Sequence, residues 1–101
     1  MKLITVTVAV LLIVALPLAA DDAKAMFTSK CMPCHGADGS GNTPMGKKIG
    51  AKSLGSAEVQ KKSDADLTKV ITTGSGKMPS FKQLPPDQIA GLVKFIRGLA
   101  K

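Results

Sequence analysis

Residues 30–41 read "KCMPCHGADGSG", and this one stretch holds both cysteines and the only histidine of the 101-residue chain. Cys31, Cys34 and His35 fall within five positions, and no other thiol or imidazole exists to assist them. Glycines follow at 36, 39 and 41, so the chain leaves this turn through backbone that can bend tightly. Whatever these three donors hold, they hold it on a single turn, and the rest of the fold has to be built around that turn.

Several chemistries use a C-x-x-C pair, and most of them fail here. A disulfide between Cys31 and Cys34 closes a tiny ring and staples nothing. A thioredoxin-like redox pair belongs to a parallel βαβ pattern, and the chain shows no strand runs of that kind. Structural zinc takes four Cys or His ligands, against three available. C-x-x-C-H is, however, the signature of covalent haem attachment. Two thiols on one helical turn can add to the two vinyl groups of a porphyrin edge, which brings the imidazole of His35 under the iron. Its other ring nitrogen is expected to donate to a backbone carbonyl, fixing the ring and strengthening it as a ligand. The glycine-rich "GADGSGNTPMGKK" stretch from Gly36 is the expected source of that carbonyl.

Upstream, Met1-Lys2 gives a short positive start, Leu3 to Leu18 is almost wholly apolar, and "LPLAA" precedes Asp21 and Asp22. That is the layout of a secretory signal peptide, expected over residues 1–20, with one domain over 21–101. An uncleaved membrane anchor is the alternative, but sixteen residues of helix reach only about 24 Å against a hydrocarbon core of about 30 Å. Cleavage after Ala20 also leaves Leu18 where a small residue is usual. A domain this short has little core, and it contains three Phe with no Trp or Tyr. A large covalently held cofactor supplies the missing apolar mass. The chain carries a net charge of +7, of which the leader holds only Lys2, so an acidic partner surface is favoured. Nucleic acid is not, in an exported protein without aromatic stacking residues.

The rest reads as helices and loops. "DDAKAMFTSK" starts with acids and runs into the attachment turn, with Met26 and Phe27 inward. Gly36 to about Gly55 is expected to be loop. "SDADL" from Ser63 starts a second helix with Leu67, Val70 and Ile71 on its apolar face, ending near Gly74. After the loop "GSGKMPSFKQL", Pro85-Pro86 opens a terminal helix with Ile89, Leu92, Val93, Ile96 and Leu99 buried and Phe95 beside them. Lys94, Arg97 and Lys101 are expected to lie outward or to complement the C-terminal dipole.

A neutral thioether is the expected sixth iron ligand where a high potential is wanted. Met32 lies in the attachment turn and Met26 faces the core, which leaves Met45 and Met78. Met78 sits in a loop with ample chain to reach the opposite face, and Pro79 restrains it. Simple loop packing for Met78, and Met45 as ligand, both remain open on the residues alone.

"CMPCHGADGSG" (31–41), "GKMPSF" (76–81) and "IAGLVKFIRGL" (89–99) together resemble the small bacterial class I cytochromes c, in the family's order and over the whole of residues 21–101. The resemblance implies an all-α fold of about three to five short helices around one covalently bound haem (heme c). It implies Cys31 and Cys34 as the thioether cysteines, His35 as proximal ligand, Met78 as distal ligand, and Phe27 with Phe95 as the contact where the terminal helices cross. Many members place Gly-Pro in the loop, with the proline carbonyl receiving the histidine proton; "GKKI" stands here, so Pro44 or Lys47 is expected to serve instead. Members often hold a haem propionate with Trp or Tyr, and this chain has neither.

The function this implies is a soluble, monomeric periplasmic electron carrier that makes and breaks no bonds. Its partners are expected to be redox proteins with acidic docking surfaces, such as a membrane cytochrome complex or a terminal oxidase, with no small-molecule substrate. Lys30, Lys47, Lys48, Lys77 and Lys82 flank the motifs and are candidates to ring the haem edge. Two rivals are an open-site sensor or weak peroxidase in which Met78 is off the iron, and a structural haem domain docked on a larger enzyme.

Overall fold

The computed structural model describes residues 2–10 and 20–101. Half of the expected leader, residues 1 and 11–19, therefore lies outside the described residues. Residues 2–10 carry no regular secondary structure, and Leu3, Ile4, Val6, Val8 and Val10 are exposed. No helix among the described residues is long and apolar enough to cross a membrane.

Among the described residues six helices follow one another: α1 (Ala20–Lys30), α2 (Met32–His35), α3 (Pro44–Ile49), α4 (Ala57–Gln60), α5 (Asp64–Thr73) and α6 (Pro86–Arg97). The only β pairing among the described residues is an isolated bridge between Ser75 and Met78. Each start has a local cause. Ser63 accepts from the Asp66 amide at 3.0 Å and Asp64 and Asp66 lie on the first turn, so α5 begins where its orphan amides are satisfied. Thr43 does the same for α3, accepting from the Gly46 amide at 2.8 Å, with Pro44 in the first helical position. α6 starts at Pro85-Pro86 without a side-chain cap.

The helix count exceeds the three to five expected, and the two additional short helices, α3 and α4, fall between Gly36 and Ser63. Residues 36–55 are not loop throughout, because α3 lies inside them, and α4 follows directly. Both are one to one-and-a-half turns long, too short to show a period of apolar residues.

α1 packs across α6, α6 also packs on α5, and α2 sits between α1 and α3. Phe27 and Leu92 are the most deeply buried large side chains, at 1% exposure each, and Phe27 meets Phe95 with ring centroids 4.7 Å apart. This is the aromatic contact expected at the crossing of the terminal helices. Val59, Leu67, Ile71, Ile89, Val93 and Ile96 complete the core, while Leu99 is only half-buried at its edge. Replacing a buried Phe by Ala in such a setting costs about 3–5 kcal/mol, so the crossing anchors the frame on which the turn at Cys31 is mounted.

Arg97 does not simply face outward. Its Nε and one terminal nitrogen donate to an Asp64 carboxylate oxygen at 3.0 and 2.9 Å, and the other donates to the Gln60 carbonyl at 2.9 Å. It also donates to the Lys62 carbonyl. The end of α4 leaves carbonyls without helical partners, and a guanidinium with several donors satisfies them together. Gln60 adds a second tie, its side-chain amide donating to the carbonyls of Leu54 (2.8 Å) and Ile96 (3.0 Å). Residues 54–64 are thereby fastened to α6.

Candidate functional site

The attachment turn is α2 itself. The His35 amide donates to the Cys31 carbonyl at 2.9 Å, and Gly36, with φ +81°, ends the helix by donating to Met32. The C-terminal carbonyls of this short helix are then claimed one by one. The Gly41 amide donates to His35 at 2.7 Å, and the Thr43 hydroxyl donates to Cys34 at 2.8 Å, with the Pro33 carbonyl 3.2 Å away. Gly46 packs so closely on this turn that a β-carbon there would fall on the carbonyl oxygens of Cys34 and Gly41.

His35 is half-buried, and its Nδ1 lies 3.3 Å from the carbonyl oxygen of Lys52. A carbonyl can only accept, so Nδ1 carries the proton and donates, which leaves the Nε2 lone pair free as a ligand. Burial pushes the imidazole below its usual range, partly opposed by this hydrogen bond, so the ring stays neutral as a metal ligand must. The accepting carbonyl is neither Pro44 nor Lys47, nor any residue of 36–48. Helix α3 lies within that stretch, and the carbonyl that meets the ring comes only after Gly50, at Lys52. Lys52 is held there by its neighbours, since the Ala51 amide donates to Gly46 and the Leu54 amide to Gly39, both at 2.8 Å. Its ammonium pairs with Glu58 at 2.6 Å.

Cys31 and Cys34 are free, partly buried thiols. Burial, with the neighbouring Cys34 adding to it, pushes the Cys31 thiol up to about 11. A thiolate for zinc or redox exchange needs the opposite shift. A sulfur that must stay neutral in an apolar wall suits a thioether.

Facing the turn is a cleft of about 310 Å³ lined by Cys31, Cys34, His35 and Met78 together. Its walls are apolar, with Leu54, Val59, Leu67, Ile71, Phe81 and Ile96 contributing. Met78 enters from a loop, and its own side chain makes no hydrogen bond there. Ser75 and Met78 exchange backbone hydrogen bonds at 3.2 and 2.8 Å, Gly74 and Gly76 take φ +76° and +55°, and the Ser80 hydroxyl donates to Thr72 at 2.7 Å. Met26, Met32 and Met45 do not line the cleft, and Met45 is 49% exposed. A flat apolar macrocycle, fixed at one edge by two neutral sulfurs and bracketed by a neutral imidazole and a thioether, fits this donor set.

Of the five lysines named as candidates for the rim, Lys30 and Lys77 line the cleft, while Lys47, Lys48 and Lys82 do not. Lys52 and Lys62 do, and no Asp or Glu joins them. Thr43, Lys52, Gln60 and Arg97 are the positioning residues that the sequence reading passed over. Thr43-Pro44 is a helix-start signature and was open to recognition; the others act through backbone carbonyls and leave no local signal.

Residues 18–96 match the family described as "Cytochrome C oxidase, cbb3-type, subunit III". Among solved structures, the chain is similar to the KustC0563 c-type cytochrome, with a TM-score of 0.73 and 34% identity over 78% of this chain and 98% of that one. A tyrosine-to-phenylalanine mutant of Kustc0563 superposes at 0.70 with 36% identity, covering 77% and 98% of the two chains. A chain of the Kuenenia stuttgartiensis reducing HAO-like protein complex Kustc0457/Kustc0458 shares the fold, at a TM-score of 0.71 and 24% identity over 86% of this chain and 48% of that one.

Proposed function

Because the chain belongs to the c-type cytochrome domains of the cbb3-type oxidase subunit III family, and so is an electron-transfer haem protein, we propose that it is a mono-haem carrier shuttling single electrons between redox proteins. The observation that supports this best is the meeting of Cys31, Cys34, His35 and Met78 at one apolar cleft. A bound haem supplies a one-electron iron couple there. The chain supplies everything else.

Cys31 and Cys34 provide the thioether sulfurs. His35 would present Nε2 as the proximal ligand while the Lys52 carbonyl holds its Nδ1 proton. Met78 would supply the distal ligand, and its uncharged thioether would favour the ferrous state. Apolar side chains from α1, α4, α5 and α6 exclude water. As a carrier of single electrons, the protein breaks and forms no bonds in this role.

Residues 1–20 act as an export leader, the domain is residues 21–101, and the carrier works in the periplasm as a monomer. Lys30 and Lys77 at the cleft steer partners with acidic docking surfaces, at a rate that falls with salt. The optical spectrum of the matured protein tests the reading. A low-spin spectrum with the methionine–iron charge-transfer band, unmoved by carbon monoxide, is expected; a haem that binds carbon monoxide at once overturns Met78 as ligand and favours a sensor or peroxidase.

A further inference from the structure

The cofactor named above carries two propionate carboxylates, and a partly buried pair of anions needs cationic or hydrogen-bonding partners. The chain has no Trp or Tyr to offer. Its single arginine, Arg97, is committed to Asp64 and to the carbonyls of Gln60 and Lys62. The charged groups that line the cleft are four lysines, Lys30, Lys52, Lys62 and Lys77, beside His35 and the two thiols.

Covalent chemistry divides these four. In haem the propionates are borne by the pyrroles that do not carry the vinyl groups, so they point away from the thioether edge. Lys30 adjoins Cys31 and belongs to that edge, and Lys77 adjoins Met78 and belongs to the axial side. Lys52 and Lys62 remain. Lys62 is the freer of the two, since Lys52 already faces Glu58 at 2.6 Å, whereas the Lys62 ammonium makes no hydrogen bond or ion pair among the described residues and meets the charge of Glu58 only through space. Its backbone is pinned on both sides, the amide donating to Val59 at 3.1 Å and the carbonyl accepting from Arg97.

Resting on the proposed function, we infer that Lys62, together with Lys52, is the cationic seat of the haem propionates, and that Arg97 is the positioning residue that sets Lys62 at the cleft. A cation there favours the ferrous state and keeps the carboxylates ionised. Lys62→Met therefore lowers the reduction potential. It also raises the propionate pKa, so the potential acquires a downward step with rising pH in the acid-to-neutral range, because deprotonation now adds negative charge beside the iron.

The experiment is spectroelectrochemistry of the haem-loaded full chain across that pH range for Lys62→Met, Lys62→Arg and Lys82→Met. Lys82 does not line the cleft, so its variant carries the same change in net charge without the contact. The expected result is a larger downward shift and a new pH step in Lys62→Met only, with Lys62→Arg matching the parent. If Lys62→Met fails to retain haem while Lys62→Arg retains it, the need for a cation at this position is read from the yield instead. Indistinguishable profiles for Lys62→Met and Lys82→Met overturn this inference alone. A parent protein whose intact mass shows no covalent haem overturns the proposed function, and this inference with it.

Discussion

The two sides of the cleft are held by different kinds of bond. On the His35 side, the elements are fixed by directional hydrogen bonds to backbone carbonyls: the Gly41 amide to His35, the Thr43 hydroxyl to Cys34, and the imidazole to Lys52. On the Met78 side, the side chain that points at the cleft makes no hydrogen bond, and its place is set by a four-residue turn and two left-handed glycines. An imidazole can be aimed by its second nitrogen, while a thioether has no second group to hold. The first side should therefore fail through overpacking or lost hydrogen bonds, and the second through changed backbone angles.

Gly46→Val gives the largest expected effect on this contrast, because the new side chain lands on the Cys34 and Gly41 carbonyls, which are backbone and cannot swing aside. Overpacking of this kind costs about 3 kcal/mol or more, and covalent haem yield with the thermal midpoint would show it. A near-parent midpoint would mean that α3 can lift away from the attachment turn.

Gly74→Ala strikes the other side. The residue has φ +76°, and its added β-carbon would sit 2.6 Å from the Met78 carbonyl oxygen. A cost of about 1–3 kcal/mol is expected, with loss of the methionine–iron band and carbon monoxide binding while haem stays covalently attached. Gly76→Ala is the matched control, since nothing lies within 4 Å of its β-carbon and only the φ of +55° is strained. Equal behaviour of the two would show that angle alone, and not the contact, sets the loop.

Thr43→Val keeps the shape of the residue and removes its hydroxyl, leaving the Cys34 carbonyl and the Gly46 amide without their partner. A loss of about 1–2 kcal/mol is expected, read in chemical denaturation of the holoprotein. Thr43→Ser should recover most of it.

The smallest effect is that of Glu58→Gln, which uncouples the exposed Lys52–Glu58 pair behind the carbonyl that holds His35. Lys52 holds the Glu58 carboxyl below its usual range, by hydrogen bond and by charge. A lowered folded pKa means that the stabilisation is present above the unfolded value and disappears as pH falls through the folded one. The difference between parent and variant in thermal midpoint should thus be small at neutral pH, shrink in high salt, and vanish in acid. A difference that persists in acid would assign the effect to packing.

The contact between Phe27 and Phe95 was legible because each lies on a helix whose apolar positions recur with the helical period. That Cys31, Cys34 and His35 share one cleft was legible because five consecutive residues carry all three. α3 was missed although Thr43-Pro44 announces it, since six residues among glycines show no period. Arg97 was read as a surface charge because its partners Gln60, Lys62 and Asp64 lie more than thirty positions away.

The sequence by itself determined where the C-x-x-C-H turn lies, the helical class, the apolar faces of α1, α5 and α6, and a short list of candidate ligands. Only the tertiary structure decided that Met78 rather than Met45 reaches the cleft, that Lys52 accepts the proton of His35, and that Arg97 and Gln60 fasten residues 54–64 to α6. The reason is physical. Periodicity and caps are interactions within a few residues, and side-chain identity records them, whereas every residue offers the same carbonyl, so which one meets a given donor is fixed only by where the folded chain brings it.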